Sequence, residues 1–130
     1  MTHHSRLGGL IIDCDCDRDD LDRQARFWSR ALGLEIRPSD DPEDDNYVIL
    51  ATPAGEPYIE VQAVDHPSRV HLDIKTDDLE AEVRRLEALG ATRVRKVRHW
   101  WVMEAPSGHR FCVIALHPGQ DVGPLKTWDP

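Results

Sequence analysis

A histidine, His71, and a glutamate, Glu60, are the residues of this sequence with the clearest capacity for chemistry. An imidazole nitrogen and a carboxylate oxygen together suit a divalent metal. Two donors alone hold a metal weakly, and catalytic sites supply three or four while leaving one position open. Cys112 is the third candidate, and a thiolate would turn the preference toward zinc. The corresponding fourth place falls on Ile11, which cannot ligate. Asp13 and Asp73 are nearby carboxylates able to move a proton. Without a metal, the same side chains would make a hydrogen-bonded polar pocket. Both readings stay open at this level.

These residues need strands to hold them. Arg69–Thr76 alternates, with Val70, Leu72 and Ile74 on one face and Arg69, His71, Asp73 and Lys75 on the other. Leu79, Val83, Leu86 and Leu89 then form a helical stripe that Gly90 stops. The same pattern occurs earlier. Leu7 to Cys14 reads as a strand, Asp13 to Asp20 as an acidic loop, and Leu21, Ala25, Trp28 and Leu32 as one helix face ended by Gly33. Further strands are expected over 35–37, 47–51, 58–64, 92–96, 99–104 and 109–116. Ala31-Leu32-Gly33 answers Ala88-Leu89-Gly90, Pro53-Ala54-Gly55 answers Pro106-Ser107-Gly108, and Asp13 answers Asp73. The repeat, with a period of roughly 60 residues, has only two copies and is no solenoid. Each copy reads βαβββ.

The expectation is an α+β fold occupying residues 1–130 as a single domain. Module one spans about 7–64, module two about 69–116, and residues 117–130 form an extension. Two such modules would pair into a curved, barrel-like mixed sheet around a cavity, with helices outside. Alternation then puts Ile11, Asp13, Tyr58, Glu60, Gln62, His71, Asp73, Cys112 and Ile114 on the cavity wall. Glu60 faces inward only if the first hairpin carries one residue more than the second, with Glu56 as the extra one. The extension is expected to lie over the surface, pinned by Leu125 and Trp128.

Composition narrows the partners. Sixteen basic and 24 acidic residues leave a formal charge of −8, which argues against nucleic acid and anionic membranes. No apolar run approaches a membrane span, and the three cysteines suggest reduced thiols in the cytoplasm.

Phe27-Trp28-Ser29-Arg30-Ala31-Leu32-Gly33-Leu34, Arg69-Val70-His71-Leu72-Asp73-Ile74, Glu87-Ala88-Leu89-Gly90-Ala91 and Ala105-Pro106-Ser107-Gly108-His109-Arg110-Phe111-Cys112-Val113 carry a resemblance. In this order they resemble the glyoxalase/bleomycin-resistance/dioxygenase group, the vicinal oxygen chelate superfamily, and most of all its small bacterial glyoxalase-like branch. In metal-dependent members the first, fourth, fifth and last strands each place a ligand, usually His, Gln or Glu. The resemblance implies ligand positions at Ile11, Glu60, His71 and Cys112, two of which depart from the pattern. It also implies a homodimer.

Other motifs read as structural. Asp13-Cys14-Asp15-Cys16-Asp17 starts like a calcium loop, but Arg18 stands where the turn glycine belongs. Cys14 reads as a core residue and Cys16 as a loop thiol. One of Trp100 and Trp101 should enter the cavity or a dimer seam. Thr76 or Asp77 should cap the second helix. The function expected is binding of a small-molecule ligand in the cavity without a complete metal site. The alternative is a lyase, isomerase or dioxygenase using a divalent metal such as zinc, iron, manganese or nickel at Glu60, His71 and Cys112. A third reading has the acidic loop Asp40 to Asp45 meeting a basic partner.

Overall fold

The computed structural model describes residues 2–38, 46–117 and 123–130. The acidic loop Asp40 to Asp45 lies outside the described residues. The described elements are β1 (His3–Asp15), α1 (Arg18–Leu32), β2 (Ile36–Arg37), β3 (Tyr47–Leu50), β4 (Tyr58–Val64), β5 (Arg69–Thr76), α2 (Leu79–Ala88), β6 (Thr92–Val97), β7 (Trp100–Glu104), β8 (Arg110–Ala115) and β9 (Lys126–Trp128). The order βαβββ thus occurs twice, as the sequence repeat implies. The chain divides into two compact units: a first of Gly9–Val70, and a second of Met1–Gly8 with His71–Pro130.

In the first unit, strands lie in the order β2, β3, β4, β1. Residues Gly9–Asp15 of β1 run parallel to β4, and β3 is antiparallel to both β4 and β2. The helical stripe read from sequence does the packing. Leu21 and Ala25 are buried against Cys14, Leu50 and Val61, with Trp28, Ile12 and Ile59 around them. Phe27, by contrast, is 60% exposed and meets Trp28 edge-on. Gly33 ends α1 in the left-handed region at φ 69°, and its N–H bonds back to the Ser29 carbonyl. A glycine takes that backbone without the Cβ penalty.

The second unit orders its strands β5, β8, β7, β6. β5 and β8 are parallel, while β7 is antiparallel to both its neighbours. Val83 and Leu86 of α2 bury against Met103 and Val113, with Ile74, Leu79, Trp101 and Phe111 completing the cluster. Trp101 is therefore the helix-side indole. Asp78 caps α2 by accepting the Ala81 N–H at 3.1 Å. Of the two expected caps, Asp77 instead accepts from the His4 backbone N–H at 2.7 Å, and Thr76 Oγ1 donates to the His4 carbonyl at 2.8 Å. The cap falls one residue beyond Asp77, on Asp78, whose backbone is extended immediately before the first turn. The strand order has open edges at β2 and at β6, so the strands are not closed into a barrel.

The N-terminal residues depart most from the sequence reading. β1 begins at His3, not Leu7, and His3–Ser5 pairs antiparallel with Trp128–Lys126 of β9. The extension is thus partly a strand. His3 and Ser5 are buried although polar, because each has a partner: His3 Nε2 lies 2.8 Å from Glu82 Oε1, and Trp128 Nε1 donates to Ser5 Oγ at 2.8 Å. Glu82 itself is completely buried and accepts two hydrogen bonds from Arg85, each at 2.8 Å. Arg85 in turn stacks 3.8 Å above the Trp128 ring. A buried carboxylate is tolerated only when its oxygens are satisfied in this way.

Candidate functional site

The face of the second-unit sheet that α2 does not cover carries the donors. Alternation along β5 sends His71, Asp73 and Lys75 to this face, opposite Ile74. The parallel register sets Asp73 against Cys112 and Lys75 against Ile114. On the other side of β8, Val102 stands against Cys112 and Trp100 against Ile114. Trp100 is thus the indole on the polar face, where it meets His99 edge-on at 5.2 Å.

His71, Asp73 and Cys112 converge. Their nitrogen, oxygen and sulfur donor atoms all lie within 4.8 Å of one another. The His71 Nε2 to Asp73 Oδ1 separation is 3.4 Å. That is long for a charge-assisted hydrogen bond, which favours about 2.8 Å. It matches the edge of a tetrahedron whose bonds to a central ion are about 2.1 Å, which works out near 3.4 Å. Asp73 is only 4% exposed and His71 is partly buried, so both are pre-positioned by packing. The residues present fit a small divalent cation. One such ion would act there as a Lewis acid and keep a coordination position for a ligand oxygen.

The first unit presents a second row. Gly9, Ile11 and Asp13 stand against Tyr58, Glu60 and Gln62 respectively, so all six share one side of the β1–β4 pair. Asp13 is buried and lies 3.6 Å from the Arg69 Nε. Gly9 is needed beneath Tyr58: a Cβ there would stand 2.2 Å from a ring carbon. Glu60 shares the side of Ile11, with which it pairs. The hairpins differ more than expected, however. The first closes from Leu50 to Ile59 and the second from Glu104 to Arg110, so the first is longer by more than one residue. By register, the position answering Cys112 is Gln62, since Asp13 faces Gln62 as Asp73 faces Cys112.

A glyoxalase-like domain model matches residues 12–114. The chain belongs to the glyoxalase-like domain family. This establishes its place among vicinal oxygen chelate proteins and agrees with the resemblance in the sequence motifs. Solved structures show the same fold. The chain is similar to methylmalonyl-CoA epimerase from Mycobacterium tuberculosis, with TM-score 0.65 and 18% identity over 86% of this chain and 88% of that one. A hypothetical protein from Bacillus halodurans C-125 gives 0.62 and 14% over 90% and 98%. Streptomyces coelicolor methylmalonyl-CoA epimerase gives 0.60 and 15% over 85% and 96%. At these identities the likeness concerns the fold. No curated protein matches the chain.

Within this glyoxalase-like chain, Asp73 comes together with two of the donors that the sequence suggested. His71 and Cys112 converge with Asp73. Asp73 read from sequence as a spare carboxylate. Its pairing with Cys112 is a matter of strand register, which no local pattern encodes. Alternation also places Lys75 on the His71 face. It is 5% exposed, and its stem lies so close to Gly8 that a Cβ there would stand 2.4 Å from Lys75 Cγ. Cys14 and Cys16 play no part in this cluster. Burial first, then the neighbouring thiol and carboxylates, pushes the Cys14 thiol up, and burial with Asp20, Asp17 and Asp15 does the same to Cys16. Among the described residues no helix is long and apolar enough to cross a membrane.

Proposed function

We propose that this chain binds a small molecule on the polar face of its second-unit sheet, anchored by a divalent cation that His71, Asp73 and Cys112 hold. The observation that carries the reading is the convergence of those three donors within 4.8 Å. The set of one nitrogen, one oxygen and one sulfur favours zinc over manganese, iron or nickel. A ligand with neighbouring oxygens would complete the shell, and lyase, isomerase or dioxygenase chemistry would be open to it. Three free cysteines support a reducing cytoplasmic location. The apolar Phe27 and Leu32 exposed on α1 support assembly as a homodimer.

Elemental analysis of tag-free protein tests the cation. Near-stoichiometric zinc in the wild type, lost in His71→Ala, is the expected result. No metal above background in either protein rejects it.

A second reading, binding without metal, is favoured by Ile11. It is 2% exposed, stands against Glu60, and offers no donor at the first-strand position. In that case the same polar face would hold its ligand through hydrogen bonds alone. Ligand binding that survives exhaustive chelation distinguishes it.

A further inference from the structure

Arg93 and Arg95 stand two residues apart on β6, and unbroken alternation would send both to the same side of the sheet. They part instead. Arg93 pairs with Met103, on the side that α2 covers, and donates there to Glu80 at 2.7 Å and to Glu87 at 3.0 Å. The register then shifts between Arg93 and Arg95, which makes Val94 a β-bulge and sets Arg95 against Val102. Val102 stands against Cys112, and Cys112 against Asp73. The bulge therefore re-aims Arg95 onto the face that carries the donors, in one cross-strand row with two of them. Re-aiming a side chain beside a site is a common use of a bulge.

We infer that Arg95 is the anion anchor of the ligand site, and that the ligand is an organic dianion. Its neighbouring oxygens at one end meet the cation, and a carboxylate at the other end meets Arg95. The inference rests on the proposed cation site and names the class of ligand that site takes.

Charge and spacing carry it. Arg95 is exposed, and among the described residues no hydrogen bond or ion pair holds its guanidinium, whereas Arg93 is held by two glutamates. The other cations on this face are committed. Lys75 is buried, and Arg110 Nε donates to Glu104 at 3.0 Å. Two strand spacings, about 10 Å, separate the backbone at Arg95 from that at Cys112. A guanidinium on its long stem covers much of that distance, which leaves room for a ligand only a few bonds long. Val102, between the two, gives the methylenes of such a ligand an apolar floor. A guanidinium takes a carboxylate through two parallel hydrogen bonds. Lys96, the next cation along the strand, pairs with Trp101 on the α2 side and so stands apart from this row.

Calorimetric titration of the full-length, zinc-loaded protein tests the anchor with two probes. 2-Oxoglutarate has both ends, and 2-oxopentanoate carries a methyl group in place of the distal carboxylate. The wild type should bind 2-oxoglutarate about tenfold more tightly, the effect of one hydrogen-bonded charge pair. Arg95→Gln should erase that preference and leave the affinity for 2-oxopentanoate unchanged, while Lys96→Gln should keep the preference. Equal affinities in the wild type, a preference that survives in Arg95→Gln, an equal loss in Lys96→Gln, or no binding of either acid overturns the inference. If the protein takes up no zinc yet shows an Arg95-dependent preference for 2-oxoglutarate, only the cation reading fails. If zinc binds and the two acids bind equally, only the anchor fails.

Discussion

Asp73 and Cys112 face each other across the parallel β5–β8 pair, although their stretches of sequence lie on either side of α2, β6 and β7. His71 sits two residues before Asp73 on the same strand face, which brings a third donor to the pair. The proposed cation site depends on this register. Asp73→Asn should lower zinc affinity by at least tenfold, and Cys112→Ser should shift the preference away from zinc toward harder cations. Glu60→Gln should change affinity less than Asp73→Asn. Titration against a zinc-responsive dye, with the three variants side by side, measures the order. An order in which Glu60→Gln is the most damaging would favour the donor set suggested by sequence.

The buried Glu82 should make stability depend on pH. Burial pushes its carboxyl up, but hydrogen bonds from Arg85, Ser5 and His3 outweigh this and hold it below the ordinary value of 4.5. A carboxyl lowered in the folded chain stabilises fully above its unfolded pKa. That contribution is lost as pH falls through the folded value. Urea midpoints measured from neutral pH down to about pH 3 should fall steeply in the wild type and less steeply in Glu82→Gln.

Removing the partner of Glu82 should cost more than a surface ion pair does. Arg85→Met leaves a carboxylate with no counter-cation of its own and should destabilise by about 3 kcal/mol. Arg84→Met, one residue away and bound to the half-exposed Glu80 at 3.3 Å, should cost about 0.5 kcal/mol or less. Chemical denaturation of the two variants gives the comparison. Equal costs would mean that the Glu82 pair contributes no more than an exposed one.

Gly9→Ala should destabilise by about 2 kcal/mol through overpacking. The added Cβ would stand 2.2–2.7 Å from three atoms of the Tyr58 ring, and a ring has no slack end to yield. Tyr58→Leu should relieve much of this, so the double variant should be less destabilised than the sum of the singles. Additive losses would show that the close approach is not the cause.

The C-terminal strand should open locally when its indole is lost. Trp128→Phe removes the bond to Ser5 Oγ at 2.8 Å and should cost about 1 kcal/mol. Amide hydrogen exchange of residues 3–5 should quicken selectively, because those amides belong to the strand that pairs with β9.

Much of the architecture could be read in the residues alone. The period-two row of β5, the stripes of both helices and the glycines that end them depend on local geometry, which a linear pattern carries. β4 spans Tyr58–Val64 as its alternation implies. His71, Cys112 and the polar face opposite the helix follow from the same alternation. Tertiary structure decided the rest. His3-His4-Ser5-Arg6 looks like a polar lead-in, yet it is strand, because burial of His3 and Ser5 depends on Glu82 and Trp128, distant in sequence. Likewise, Glu82 on an amphipathic helix reads as solvent-facing until Arg85 and the N-terminus close over it. Asp73 joined the donor set for a similar reason. Alternation tells which face a side chain occupies, but only the register between strands tells which side chain it will meet.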